Sequence, residues 1–391
     1  MKKLITSIFI LSFTCGLYAQ NDRVITTAVP FLLIPTDARS AGMGDMGVAT
    51  SPDAFSQNWN AAKNVFAEKQ IGIGLSYTPY LSDLVSDIFL GSVNYYNRIN
   101  ERSAWAASFK YFSLGDIEFN TFDGFNVIPQ GTESPNEFAL DVSYALRLSD
   151  QFSMAVGGRF IRSDLKLAPV DPDATAASSF AVDITGYYQS EEKAYDSFNG
   201  RWRGGFAITN LGPKLKYDQG GNEFFLPTKL GLGGGFDFIF DEYNKLGVTI
   251  ETTKLLVPTP SIPVDGQGNE VSGEDDPNFV GYQQSDEGFL SGVFSSFGDA
   301  PDGFGEELKE FTWSLGAEYT YQDSFAMRAG YFNESEEKGA RKFFTIGAGF
   351  TYNVMKLDVS YLFSASKVRN PLENTLRFSL TFNLGGEYQE Y

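Results

Sequence analysis

Phe138-Ala139-Leu140-Asp141-Val142-Ser143-Tyr144-Ala145-Leu146-Arg147-Leu148 keeps a strict two-residue alternation. Successive side chains of a strand point to opposite sides. Phe138, Leu140, Val142, Tyr144, Leu146 and Leu148 therefore share one face, and Ala139, Asp141, Ser143, Ala145 and Arg147 share the other. One face is apolar throughout and the other carries both signs of charge. A strand of about ten residues with this pattern suits a wall between lipid and a polar interior. The final segment repeats it: Leu376, Phe378, Leu380, Phe382 and Leu384 stand against Thr375, Arg377, Ser379, Thr381 and Asn383.

From residue 70 onward the theme recurs. It predicts fourteen strands: 70–78, 87–98, 103–113, 136–148, 151–163, 178–189, 201–210, 227–240, 243–256, 310–321, 324–332, 341–352, 355–365 and 373–384. The number is even, as in single-chain bacterial barrels, whose periplasmic turns are short and whose outer loops are long. The links alternate in that way. Asn100-Glu101, Ser149-Asp150, Asp241-Glu242, Gln322-Asp323 and Asn353-Val354 are short, whereas 114–135, 164–177, 211–226 and 257–309 are long; only 190–200 is a longer periplasmic turn than expected. A soluble β-sandwich gives no reason for such alternation. The expected fold is all-β, a fourteen-stranded antiparallel transmembrane barrel of a Gram-negative outer membrane.

Charge placement follows the same faces. Lys110, Asp141, Arg147, Arg159, Asp183, Arg203, Asp237, Glu251, Glu318, Arg328, Asp358 and Arg377 all fall on the side away from lipid. A charge facing lipid at mid-membrane costs about 2–4 kcal/mol. Both signs are present, so these residues are read as a lumen network of paired charges that holds the barrel shut, with a conducting or ligand-binding interior as the alternative. Trp105, Trp202, Trp313, Tyr111, Tyr319, Tyr321 and Tyr352 lie on outward faces and suit interfacial aromatic girdles.

Composition removes whole classes of function. The chain has no histidine, so a Ser-His-Asp triad, histidine zinc sites and the commonest general base are absent. Residues 1–19 read as a signal peptide, with Lys2 and Lys3, an apolar stretch from Leu4 to Leu17, and cleavage between Ala19 and Gln20. The single cysteine, Cys15, lies inside that segment, and Ser12 and Thr14 do not make a lipoprotein signal around it. No disulfide, cysteine nucleophile, cofactor or metal site is expected in the mature chain. The formal charge of −19 becomes −21 without Lys2 and Lys3, which argues against nucleic acid as a partner.

Residues 20–66 do not alternate. They include Val29-Pro30-Phe31-Leu32-Leu33-Ile34-Pro35, then Asp37-Ala38-Arg39-Ser40-Ala41-Gly42-Met43-Gly44-Asp45-Met46-Gly47, and later Trp59-Asn60-Ala61-Ala62-Lys63. Glycines 42, 44 and 47 allow a compact path with close backbone approach. No strand and helix frame them, so they are not a nucleotide-binding loop. A short apolar, Gly-rich stretch ahead of a barrel over 67–391 reads as a plug in its lumen.

This stretch resembles the amino-terminal hatch of FadL-like outer-membrane proteins, and more closely the PorV family that serves type IX protein secretion in Bacteroidetes. The runs Val29-Pro30-Phe31-Leu32 and Asp37 to Gly44 carry the resemblance, which extends over the whole length and the strand count. Ala61 departs from it, since the related motif has Pro after Asn. The resemblance implies a hatch on Asp37, Arg39, Gly42, Gly44, Gly47 and Asn60. It also implies a barrel that does no chemistry, associates with a very large secretion translocon barrel, engages the carboxy-terminal signal domain of secreted cargo, and delivers it to a surface attachment complex.

The connection 257–309 is the longest. Its first part, Pro258 to Gly281, is rich in Pro, Gly and acids and is read as irregular, with the Glu274-Asp275-Asp276 run solvated rather than calcium-binding. Its second part predicts an amphipathic helix capped by Ser285, with Asp286 and Glu287 in the first turn. Phe289, Leu290, Val293, Phe294 and Phe297 recur there at helical spacing. They are the candidate partner-binding residues, with packing on the barrel rim as the alternative. Competing functions are a FadL-like channel for hydrophobic small molecules and an outer-membrane lipid hydrolase, the latter disfavoured by the missing histidine.

Overall fold

Alternate residues of the predicted strands are mostly β-branched, aromatic or leucine, and these side chains define the outer surface of a closed wall. The computed structural model describes residues 23–82, 85–167, 175–217, 222–273, 276–366 and 370–388; the expected signal peptide and most of the Glu274–Asp276 run lie outside them. The wall strands are β1 (Lys69–Pro79), β2 (Ile88–Asn100), β3 (Ser103–Leu114), β4 (Asn136–Arg147), β5 (Phe152–Asp164), β6 (Ala177–Gln189) and β7 (Asn199–Leu211). They continue as β8 (Lys229–Ile239), β9 (Asn244–Leu255), β10 (Thr312–Tyr321), β11 (Phe325–Asn333), β12 (Lys342–Tyr352), β13 (Met355–Ser364) and β14 (Leu376–Glu387).

Each strand pairs antiparallel with its chain neighbours, and β14 returns to β1 in register from Ile71↔Leu384 to Tyr77↔Phe378. The sheet is thereby closed, and its backbone donors and acceptors are satisfied within the wall, as a membrane requires. In β4, Leu140, Val142, Tyr144 and Leu146 are exposed and Ala139, Asp141, Ser143 and Ala145 are buried. The outward side chains form cross-strand aromatic rows, such as Phe109–Phe138–Phe160–Phe180, with centroids 5.1–6.1 Å apart. The long turn after β6 bends outward, and Tyr195 and Phe198 pack edge-on or tilted against Phe236 and Phe238 of β8.

The outer connections are more ordered than their composition suggested. A hairpin of Ile117–Phe122 and Val127–Glu133 stands on the β3–β4 connection. The stretch read as irregular, Pro258 to Gly281, contains Ile262–Asp265 paired with Phe279–Gln283. Local turn chemistry explains this: the Asp265 carboxylate accepts the backbone N–H groups of Gln267 and Asn269, which folds the Gly-rich turn that starts the hairpin. The described residues also include three short α-helices, α1 (Ala38–Ala41), α2 (Phe289–Ser295) and α3 (Phe304–Lys309), and three 3-10 turns, Pro30–Leu33, Ser56–Asn58 and Ala61–Phe66.

The helix α2 corrects one expectation. Ser285 does not cap it; Gly288 does, without a side-chain bond, and Asp286 and Glu287 precede it. The Ser285 hydroxyl instead donates to Glu287, whose carboxylate also takes the hydroxyls of Ser291 and Ser295. Glu287 thus ties the helix to its lead-in from outside. Phe297 lies past the last helical residue.

Candidate functional site

The residues ahead of β1 run through the barrel interior. Residue 67 lies beside the short-turn end, while residues 23–28 contact the long outer connections. Between them almost every side chain is buried, Lys63 and Asn64 included. Among the candidate hatch residues, Asp37 and Asn60 make side-chain hydrogen bonds that fix local turns. Asp37 caps α1 by accepting the Ser40 N–H at 2.8 Å and also accepts Trp59 Nε1–H at 2.8 Å. Asn60 caps the turn of Ala61–Phe66 through its side-chain oxygen, and its amide donates to the carbonyls of Val48 and Gly186, both at 2.9 Å. The alanine after it simply occupies the first position of that turn.

The plug's backbone is bonded to the wall. Ala38 N–H donates to Ser379 of β14 and Gly44 N–H to Thr345 of β12, at 2.8 and 2.9 Å. The N–H groups of Gly47 and Val48 both donate to one oxygen of Glu251 on β9, at 3.0 and 2.8 Å. Close approach is possible because glycines on lumen-facing positions leave the wall bare. A methyl group on Gly330 would stand 2.1 Å from the Met43 carbonyl carbon, one on Gly316 2.5 Å from the Met43 oxygen, and one on Gly205 2.5 Å from the Val48 oxygen. Gly44 itself has φ +82° against the backbone of Tyr331, a position that only glycine fills without strain. The wall glycines escaped the sequence reading, although glycine at lumen parity in three strands is the signal that would have found them.

Charged pairs bridge plug and wall. Arg39 binds Asp53 of the plug and Glu318 of β10, each at 2.7 Å, and Glu318 in turn meets Arg328 of β11. Arg328 pairs with Asp358 of β13 at 2.8 Å. Arg377 of β14 reaches Asp45 of the plug at 2.9 Å. A second group sits within the wall, where Arg159 meets Asp141 and Asp183. Arg203 pairs with Asp237 and also donates to the Ala49 carbonyl of the plug. Arg147, also assigned to the lumen network, sits at the short-turn end of β4, donates to the carbonyls of Ser149 and Asp150 and covers the Phe66 ring.

Above the plug lies a cavity of about 480 Å³. Leu33, Ile34, Phe343 and Leu372 form apolar walls, Lys229 and Glu251 lie among its polar lining, and residues 24–27 border it on the outer side. Glu251 accepts plug N–H groups with one oxygen and leaves the other without a hydrogen bond.

The outer face has two characters. On α2, Gly292 and Ser296 are buried, and a methyl group at Gly292 would meet the Phe225 ring at 2.6 Å, so this side packs down on the β7–β8 connection. The opposite side presents Leu290, Phe294 and Phe297, which are 52%, 77% and 49% exposed; Phe289 and Val293 are half-buried between the two. Phe304 and Leu308 of α3 extend the exposed apolar surface. The segment that carries it is acidic, with eleven Asp and Glu and one lysine, Lys309, over residues 257–309, of which Asp286, Asp302, Glu306 and Glu307 pair with cations from other segments.

Asp299, Glu307 and Glu310 bring a carboxylate oxygen each within 4.8 Å of one another. Lys254 Nζ lies 2.8 Å from Glu307 and also bonds Glu310, so the protein's own ammonium supplies the positive charge there. Burial, with Glu310 and Glu307 nearby, pushes the Asp299 carboxyl up despite hydrogen bonds from Thr259. Glu306 behaves oppositely: its burial is outweighed by Lys338, the Asp302 N–H and Arg23, which hold it below its ordinary value.

A model of the family described as Type IX secretion system protein PorV matches residues 17–262, more than half of the chain. No curated protein matches it. Among solved structures, the P. putida toluene transporter TodX is 11% identical with a TM-score of 0.50, over 90% of this chain and 99% of that one. A FadL homologue of Pseudomonas aeruginosa is 13% identical with a TM-score of 0.45, over 90% and 99%. At 11% identity the likeness to TodX is one of fold alone: a closed β-barrel preceded by a segment of short helices. With that fold and a family match over most of the barrel, this chain belongs to the PorV family of type IX secretion system proteins.

Proposed function

We propose that this protein is a non-enzymatic, integral outer-membrane component of type IX secretion, with residues 1–19 removed on export. Its outer face binds the secretion translocon barrel and the carboxy-terminal signal domain of cargo, and passes cargo to the surface attachment complex. Residues 20–66 act as a hatch that keeps the lumen closed. The observation that carries this reading is the exposed pair Leu290 and Phe294 on a helix whose other side is already packed, extended by Phe297 just past its end. Large apolar side chains held in water on an ordered helix mark contact sites. The acidic surroundings favour a partner with basic groups at its rim.

Replacing both Phe294 and Phe297 by serine tests it. Truncating a central aromatic anchor costs a complex about 2 kcal/mol or more. Since these rings are exposed, the barrel should keep its abundance and heat resistance while secretion and co-purification of the translocon fall. Reduced heat resistance would mean rim packing. Parent-like secretion and co-purification would move the contact elsewhere, first to the connections 114–135 and 211–226.

The cavity above the plug favours a second reading, a channel for hydrophobic small molecules. Uptake of an apolar tracer by cells that produce the protein, lost when residues of the cavity wall are enlarged, would support it over secretion.

A further inference from the structure

The plug and the residues just before it are held by different things. Residues 37–62 are bonded to the wall strands, as described above. Residues 23–27 form a strap outside any helix or strand, and its contacts run to the outer connections. The Arg23 guanidinium lies 3.2 Å from both Asp302 and Glu306, and 4.7 Å over the ring of Tyr282. Lys338 donates to the Arg23 carbonyl at 3.4 Å, Gln284 to the Thr26 carbonyl at 3.1 Å, and the Ala28 N–H donates to the Phe225 carbonyl at 2.9 Å. Beneath the strap lies the cavity, which Val24 and Ile25 border.

These contacts have the composition of a peptide-binding site. Two carboxylates and an aromatic face receive a guanidinium. An ammonium, a side-chain amide and a backbone carbonyl receive main-chain groups, a mode of recognition that is indifferent to the side chains of an extended segment. An apolar cavity of about 480 Å³ lies under the two β-branched residues, and Val24 is still 41% exposed, so the strap leaves much of that space unfilled. Tethered to the plug at Ala28, the strap occupies this site at the millimolar-order effective concentration typical of short linkers.

We propose that the outer mouth of the barrel is a binding site for an extended peptide segment of another protein, with an arginine ahead of apolar β-branched residues, and that residues 23–27 hold it as a displaceable placeholder. The site is separate from the exposed face of α2 and does not depend on what that face binds. A partner segment that replaces the strap gains the cavity as additional apolar contact.

The test uses the purified protein in detergent micelles and a fluorescein-labelled, end-capped peptide Arg-Val-Ile-Thr-Thr-Ala, the sequence of residues 23–28. Fluorescence anisotropy is followed for the parent, for a variant lacking residues 20–27, and for full-length Arg23→Glu, each shown to be folded by its heat-modifiable electrophoretic mobility. The parent should bind poorly because its own strap competes. The strapless variant should bind saturably, at least about tenfold more tightly than the parent. A peptide with glutamate in place of arginine should lose most of that binding. Should the strapless variant not fold, Arg23→Glu decides, since charge reversal against Asp302 and Glu306 frees the strap in the intact chain. Absence of saturable binding to the folded variants, or equal binding of the glutamate peptide, overturns the proposal.

Discussion

Arg39→Gln is the substitution whose effect follows most directly from the plug's contacts. The guanidinium is only 6% exposed and holds Asp53 of the plug and Glu318 of the wall at 2.7 Å each, with further bonds to Ser51. Glutamine removes the charge, cannot span both carboxylates, leaves Glu318 and Asp358 to share Arg328, and leaves Asp53 with Lys63 and Lys356 as the remaining cations around it. Breaking a buried pair by removing one partner costs about 3–5 kcal/mol, mostly through the uncompensated charge left behind. The wall keeps its strand ladder, so the loss falls on the plug's attachment near α1. In planar bilayers the parent should show little conductance and Arg39→Gln frequent openings, with a lower temperature for its heat-modifiable gel shift. Adding Glu318→Gln should recover part of the loss, because it removes one stranded carboxylate; the coupling should exceed about 1 kcal/mol. Parent-like conductance and heat resistance in Arg39→Gln would refute the argument, and strictly additive single losses would refute the pairing.

Leu140→Arg sets a charge on the lipid side of β4 at a cost of about 2–4 kcal/mol near the midplane, so folded protein in the membrane fraction should fall, whereas Ser143→Ala, inside, should assemble like the parent. Gly330→Val drives side-chain atoms into the backbone at Met43 and Gly44; since backbone cannot yield there, the cost should exceed the usual overpacking range of about 1–3 kcal/mol, read as loss of heat resistance, while Gly386→Ala at an open position should be neutral. The strap should loosen in acid: Glu306 is held below its ordinary value when folded, so its stabilisation is present above the unfolded value and lost as pH falls through the folded one. Limited proteolysis at Arg23 should therefore accelerate in that acidic window for the parent and be insensitive to it in Glu306→Gln.

The wall was legible because period two is read residue by residue, and lipid punishes a charge on the wrong face. Asp141, Glu318 and Arg377 could be assigned inward from parity alone, and the structure puts all three there. Their partners could not be read, since pairing across a lumen depends on which strands face one another. Arg147 shows the limit: its parity is inward, but its position at the strand end lets it donate to the turn carbonyls of Ser149 and Asp150. Ser285 misled for a similar reason, because a capping residue and a hydroxyl donor to Glu287 look alike in sequence. The hairpin at Ile262–Asp265 was hidden beneath a Pro- and Gly-rich composition whose turn chemistry was its actual signal. The two faces of α2 were visible as a stripe, but only the packing of Gly292 against Phe225 separates the covered side from the open one.

The plug also constrains the order in which this chain can reach its final form. Ala38 is bonded to Ser379 and Asp45 to Arg377, partners that stand more than 330 positions apart. The residues made first are thus enclosed by the strand made last, and β14 must meet β1 with residues 37–62 already inside. Wall glycines such as Gly205, Gly316 and Gly330 lie directly against plug backbone, so at these points the wall and the plug fit without room for a side chain between them. Contacts of such sequence separation form late and slowly, so the inserting barrel must stay open along the β1–β14 seam until they are made. In this view the plug is a mandrel: the final strands close around it, and a mispacked plug would be recorded as a barrel that never seals.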